Sequence, residues 1–210
     1  MKKLTIAIVA FGLFALSVEA QSARIDELRR VSEGLNSADP ITRLVTLEEA
    51  VASGDSNVRR LALQTAFQSS DPVLQGAAVE QAFASKNSLL AKIVLTNEHK
   101  PDGIARKLLG GQLEIFVENY MPNTGTFVTW SNFSRWSDED GRRRYTVHPG
   151  TFSGTRISFV VDVQNVRIRG EDKVCRGSVT SQKGSAVLIG SMACDFGSRA
   201  SYDISIDLLS

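Results

Sequence analysis

A period of sixteen residues in the N-terminal half is the sequence feature that most constrains the fold. Asp39, Asp55 and Asp71 are sixteen positions apart. Other positions repeat in the same register: Leu47, Leu63 and Val79; Ala50, Ala66 and Ala82; Val51, Phe67 and Phe83; Ser53, Ser69 and Ser85. Sixteen residues accommodate one helix of about three to four turns and a tight turn. A fixed period of this kind predicts helical units that stack on their neighbours.

The start of each unit carries the signals of a helix N-terminus. Aspartate is a favoured N-cap because its carboxylate accepts hydrogen bonds from the free N–H groups of the first turn. Pro40 and Pro72 follow at the first helical position, where no backbone N–H is needed. Apolar residues then recur at helical spacing, as at Ile41, Leu44 and Val45. Three further helices are expected beside these units: Ala23–Leu35, a helix near Ser88–Leu95, and Ile104–Leu109.

The second unit also contains a short motif. The segment Asp55–Ala62 has the form D-x-x-V-R-x-x-A, and Gln75 replaces the arginine in the third unit. Over about residues 38–86, the chain resembles HEAT-like repeats of the short, phycobilisome-lyase type. The resemblance implies a stacked helical scaffold of the kind commonly used for contacts with other proteins. It does not imply an enzyme.

Beyond Gly111 the apolar period changes from 3.6 to two. Leu113, Ile115 and Val117 alternate with other residues, and the same alternation recurs over residues 157–163 and 202–208. Further candidate strands are Phe127–Trp130, Arg144–His148, Val166–Arg169, Val174–Val179 and Val187–Met192. Turn signals separate them: Pro122–Gly125, Asp140-Gly141, Pro149-Gly150, Gly170–Asp172 and Lys183-Gly184.

About eight short strands predict an antiparallel sandwich or a small barrel. No family resemblance is evident in this part of the chain. The expected architecture is α+β and multidomain: a signal peptide over residues 1–20, a HEAT-like α-helical domain over residues 21–111, and an antiparallel all-β domain over residues 112–210.

Residues 1–20 have the features of a secretory signal peptide. Lys2 and Lys3 are positive, Leu4–Val18 has no charge, and the small residues Val18 and Ala20 fit a cleavage site. A run of fifteen helical residues spans about 22 Å, which is short of a hydrocarbon core of about 30 Å. The expected mature protein is therefore periplasmic or secreted, bacterial in origin, and does not span a membrane.

The only two cysteines, Cys175 and Cys194, lie in the part that would be exported. An even cysteine count in an exported chain favours a disulfide over buried free thiols. If residues 174–179 and 187–194 form a hairpin around Gly184, residues whose numbers sum to 369 are paired. Cys175 then lies directly opposite Cys194, within reach of a cross-strand disulfide.

Charge argues against a nucleic-acid partner. The whole chain has a formal net charge of +1, and removal of Lys2, Lys3 and Glu19 leaves equal numbers of acidic and basic side chains. A nucleic-acid binder normally carries a basic excess, because phosphate neutralisation supplies much of its affinity.

Few residues suggest catalysis, and no metal site or cofactor is expected. The two histidines, His99 and His148, have no metal-ligand spacing, and no nucleotide-binding or nucleophile-elbow motif occurs. The acidic run Asp138–Asp140 is more typical of a solvated turn than of a calcium loop. An acid–base role would need these carboxylates and His148 to converge in one cleft.

The aromatic segment is the candidate for binding. Phe127, Trp130, Phe133 and Trp136 fall within ten residues and include both tryptophans of the chain. Exposed rings of this kind stack on sugars or anchor protein interfaces, whereas buried rings would belong to the core. The sequence leaves both possibilities open.

The expected function is that of a non-enzymatic binding protein of the cell envelope, whose partner is an envelope protein or a glycan. The alternative is a hydrolase of envelope glycans or peptides in which Asp138 or Asp140 acts with His148. A third possibility is a purely structural role, in which both domains pack into a larger envelope assembly.

Overall fold

The computed structural model describes residues 21–94, 111–131, 135–137, 143–164, 173–195 and 199–210. The chain divides into two compact units, Met1–Ala66 and Phe67–Ser210. This division differs in position from the predicted domain boundary between residues 111 and 112. The fourth helix and the first strand both fall in the second unit. The predicted domains themselves stay predictions.

The N-terminal part consists of helices with the predicted period. Helix α1 covers residues 21–35, followed by α2 (Pro40–Ala52), α3 (Ser56–Gln68) and α4 (Pro72–Ala84). The aspartates cap the helices as expected. The Asp39 carboxylate accepts from the N–H groups of Ile41 and Thr42, and that of Asp71 accepts from Val73. The Asp55 carboxylate accepts from the N–H of Asn57 at 2.7 Å.

The repeating apolar positions form the buried faces of the helices. In the first unit these include Leu47, Ala50, Val58, Ala62, Leu63 and Ala66. Helical spacing places such residues on one side of each helix, where they leave water together. The sixteen-residue period thus predicts both the helices and the residues that they bury. The HEAT-like identity of the units stays a prediction.

The C-terminal part is a closed antiparallel barrel of eight strands, with a separate two-stranded sheet. The described strands are β1 (Ser88–Val94), β2 (Gln112–Met121), β3 (Thr126–Ser131), β4 (Arg135–Ser137), β5 (Arg143–Tyr145), β6 (His148–Ser153), β7 (Arg156–Gln164), β8 (Lys173–Ser181), β9 (Val187–Asp195) and β10 (Arg199–Asp207). Around the barrel the order is β1-β10-β9-β8-β7-β6-β3-β2, whereas β4 pairs with β5 alone. Of the sandwich and the barrel, the structure has the barrel.

The predicted helix near Ser88–Leu95 is wrong. This segment forms strand β1, which pairs with β2 on one side and β10 on the other. Leu89, Ala91 and Ile93 are buried, while Leu90 and Lys92 are exposed, so the segment has the period of a strand. Short apolar runs are ambiguous between helix and strand. Here the two backbone ladders that close the barrel select the strand.

The region around His148 also differs from expectation. The predicted strand Arg144–His148 is replaced by β5, which ends at Tyr145, and by β6, which begins at His148. The predicted turn at Pro149-Gly150 lies inside β6, paired with β3. Pairing of β6 with β7 begins only at Thr151. Pro149 therefore lies where β6 has one partner, a position that tolerates a residue without an N–H.

Helix α4 contributes to the core of the barrel unit. Phe83 is fully buried, and its ring centroid lies 4.9 Å from that of Phe127, 5.3 Å from Tyr120 and 5.7 Å from Phe152. The Tyr120 hydroxyl donates to the Glu80 carboxylate at 2.7 Å. Burial and that carboxylate raise the pKa of Tyr120 above its usual value of 10.0.

Candidate functional site

The outer face of strands β7–β10 is formed by residues that alternate with buried ones along the strands. Inward positions such as Ile157, Val179, Leu188 and Ile206 are buried, so the residues between them face away from the core. The register then aligns these outward residues across the sheet. One row contains Ser158, Ser178, Ser191 and Asp203; the next contains Arg156, Thr180, Ile189 and Ser205.

The hydroxyl row extends beyond these four strands. Thr151 on β6 pairs with Ser158, and Thr126 on β3 pairs with Thr151. Five neighbouring strands therefore carry a serine or threonine at this level, and Asp203 follows on the sixth. Because neighbouring strands lie about 4.8 Å apart, the hydroxyls repeat at that interval along the row.

A groove of about 680 Å³ lies on this face. Its lining comprises Arg156, Ser178, Val179, Thr180, Ile189, Gly190, Ser191, Asp203, Ile204 and Ser205. Most of the outward side chains here are short, so they leave room above the backbone. Ile189 is the apolar exception and is 39 % exposed. The result is a concave surface whose outward side chains mainly carry hydroxyl groups and whose lining also includes three aliphatic residues, Val179, Ile189 and Ile204.

Close packing of the backbone beneath the groove depends on Gly190. A Cβ atom added there would overlap the carbonyl oxygen of Ser178 and approach the Cα atom of Val179 at 2.8 Å. Strands β8 and β9 therefore adopt an arrangement at this point that a side chain would obstruct. Glycine is the residue that permits such a close backbone approach.

The charges of the groove are balanced. Arg156 on β7 and Asp203 on β10 are both exposed and are separated by two intervening strands. Within the part of the chain that the structure describes, neither side chain takes part in an ion pair. The described residues also contain no group of three or more His, Cys, Asp or Glu side chains arranged for a metal ion. The groove presents hydroxyl groups, one cation and one anion.

Two members of the predicted aromatic segment belong to the core. Phe127 is 3 % exposed and covers Gly150, where an added Cβ would overlap the ring. Trp130 is 6 % exposed, and its ring is stacked on Phe116 with centroids 3.8 Å apart. The indole Nε1 donates to Glu118 at 2.9 Å. Both rings therefore have internal partners and do not form an exposed platform.

The other predicted residues are only partly described. Trp136 lies on β4, and nothing is described of its side chain. Phe133, Asp138, Asp140 and His99 lie outside the described residues. His148 begins β6 and is partly exposed. The convergence of these carboxylates with His148 that the hydrolase hypothesis requires therefore stays a prediction.

The two cysteines have the predicted register. Cys175 is paired with Cys194 across β8 and β9, and Gly177 is paired with Met192. The sulfur atoms form a disulfide whose two residues are nineteen apart in sequence. Both cysteines are buried on the inner face of the sheet. Since disulfides persist in oxidising compartments, this pair fits the expected export of the chain.

The groove was not predicted from the sequence, although the polar residues that line it are visible in the strand patterns. Ser178, Thr180 and Ser191 stand at polar positions that alternate with apolar ones along their strands. Which of them are neighbours depends on the register of four strands. That register follows from pairings that single strand patterns do not specify.

Comparison with known protein families, with curated proteins and with solved structures finds no match to this chain. Among the described residues, the structure contains no helix that is long and apolar enough to cross a membrane.

Proposed function

We propose that this chain is an exported, non-enzymatic binding protein of the cell envelope, and that the groove on strands β7–β10 is its recognition surface. The main observation behind this proposal is that the two faces of one sheet differ in composition. Its inner side is filled with buried apolar residues, whereas its outer side holds a groove whose polar lining consists of four hydroxyl side chains, Arg156 and Asp203. Binding sites are typically concave surfaces in which a few polar groups fix the orientation of the ligand.

Export is supported by two independent features. The N-terminal twenty residues have the charge and apolar pattern of a signal peptide. Disulfides such as that between Cys175 and Cys194 form and persist mainly in oxidising compartments. The proposed partner is therefore a component of the envelope, either a protein or a glycan, and the HEAT-like helices are proposed as a scaffold for further protein contacts.

The test is retention of envelope material on the immobilised mature protein. Ser191→Lys places a long side chain across the groove, while Asn123→Lys adds the same charge in an exposed turn outside the groove. The proposal expects specific retention by the wild type and by Asn123→Lys, and loss of retention in Ser191→Lys. Equal retention by all three proteins, or turnover of the retained material, would contradict it.

A further inference from the structure

The chemistry of the groove narrows the class of ligand, given that the groove is the recognition surface of the proposed function. We propose that it binds an uncharged, extended glycan that lies across strands β7–β10. Three properties of the lining carry this assignment: its hydroxyl groups, its balanced charge and its length.

Hydroxyl side chains dominate the polar lining. Ser178, Thr180, Ser191 and Ser205 each provide one donor and two acceptor positions. Such groups match a ligand whose own hydroxyls both donate and accept, because either partner can take either role. They would give a phosphorylated or sulfated ligand little advantage over water, since charge-assisted partners bind anions far better.

The charges argue against an ionic polymer. Arg156 and Asp203 contribute one charge of each sign to the groove. A polyanion would meet the Asp203 carboxylate, and a polycation would meet the Arg156 guanidinium. Both charged groups can instead form hydrogen bonds with neutral hydroxyls, and hydrogen bonds to charged groups are stronger than those between neutral groups.

The length of the groove favours a chain over a single sugar. Strands β7 and β10, which carry Arg156 and Asp203, are three inter-strand spacings apart, about 14 Å along the sheet. One sugar ring does not span that distance. The regular interval between the hydroxyls of Ser178 and Ser191, continued by Asp203, suits a ligand that repeats its own polar groups along its length.

The lining does not favour a protein partner. Protein interfaces are typically anchored by tryptophan, tyrosine and arginine in desolvated pockets. Of the groove's described lining residues, none is aromatic and Arg156 is exposed, so the groove has no aromatic anchor for a protein and no ring for a sugar to stack on, and recognition of a glycan would depend on the hydroxyl groups. Ile189 offers a small aliphatic surface that suits the C–H groups of a sugar ring.

Titration calorimetry with neutral hexasaccharides of glucose and of N-acetylglucosamine tests the assignment, with oligogalacturonate as the anionic comparison. We expect the mature protein to bind at least one neutral chain and to prefer it to oligogalacturonate. Ser191→Lys and Ser205→Gln should each weaken that binding by about tenfold or more. Asn123→Lys should bind like the wild type, and circular dichroism should show that every variant is folded.

Failure of the neutral chains to bind, preference for oligogalacturonate, or binding as tight as that of the wild type by both groove variants would overturn the glycan assignment. These results are separable from failure of the proposed function. If retention of envelope material depends on Ser191 but the retained component is a protein, the groove stands as a recognition surface and only the ligand class is wrong.

Discussion

The two faces of strands β7–β10 differ in almost every property that matters for function. The inner face carries large apolar side chains such as Phe159, Met192 and Ile204, all buried, together with the disulfide. The outer face carries serine and threonine at matched register positions and a groove open to solvent. The same backbone therefore separates stability from recognition. Substitutions on one face should change unfolding, whereas those on the other should change binding.

The adjacent residues Phe159 and Ser158 give the sharpest contrast. Phe159 is buried and its ring covers Gly177, so Phe159→Ala leaves a cavity. We expect it to lower the free energy of unfolding by about 3–5 kcal/mol. Ser158→Ala, on the outer face, should change it by less than about 0.5 kcal/mol. Urea unfolding measures both, and similar losses in the two variants would remove the distinction between the faces.

The disulfide supplies the next largest effect. Its two cysteines are nineteen residues apart, and breaking a crosslink of that length should lower the free energy of unfolding by about 3 kcal/mol because the unfolded chain gains freedom. Urea unfolding of the wild type with and without reductant measures this. The doubly substituted Cys175→Ala, Cys194→Ala protein is the control, because reductant should not alter it. An identical wild-type midpoint in both conditions would show that the disulfide contributes nothing.

Two glycine substitutions should have opposite signs. At Gly190 a Cβ meets the backbone of β8, so Gly190→Ala should lower the free energy of unfolding by about 1–3 kcal/mol. Gly76 lies inside α4 with nothing within 4 Å of an added Cβ. Gly76→Ala should raise the free energy of unfolding by about 0.5–1 kcal/mol, because alanine restricts the unfolded chain. If the Gly190→Ala protein unfolds at the wild-type urea midpoint, β8 and β9 can move apart at this residue with little loss in the free energy of unfolding.

The smallest expected effect is a pH dependence at the helix caps. The side-chain hydrogen bond from Thr42, together with the backbone N–H groups of Thr42 and Ile41, lowers the pKa of Asp39 below its usual value of 3.8. The ionised Asp39 carboxylate therefore stabilises the folded state above pH 3.8, and this stabilisation is lost as the pH falls through the lowered pKa of Asp39.

Thermal unfolding between pH 7 and pH 2 measures this contribution. Asp39→Asn keeps an N-cap acceptor but cannot titrate. The variant should therefore lose less stability than the wild type on acidification below about pH 4. The same loss in both proteins would assign the acid sensitivity to other carboxylates.

Patterns within a single segment of the sequence correctly predicted those helices and strands whose type does not depend on a partner elsewhere in the chain. The aspartate caps and the sixteen-residue period predicted α2 to α4, and alternation predicted β7 and β10. The hairpin geometry around Gly184 also predicted the register of Cys175 and Cys194, because a short turn fixes which residues are paired.

Features that depend on contacts between segments distant in sequence could not be predicted from such local patterns. Strand β1 was assigned to a helix because its seven residues satisfy both periods, and only its ladders to β2 and β10 decide between them. The burial of Phe127 and Trp130 depends on partners from other elements, Phe83 and Phe116. The groove requires the combined register of four strands.

The most direct test of the account measures unfolding and retention of envelope material on the same Ser191→Lys protein, beside Asn123→Lys. The account predicts that both variants unfold at the wild-type urea midpoint and that only Ser191→Lys loses retention. Undiminished retention by folded Ser191→Lys would contradict it, because the groove would then not be the recognition surface.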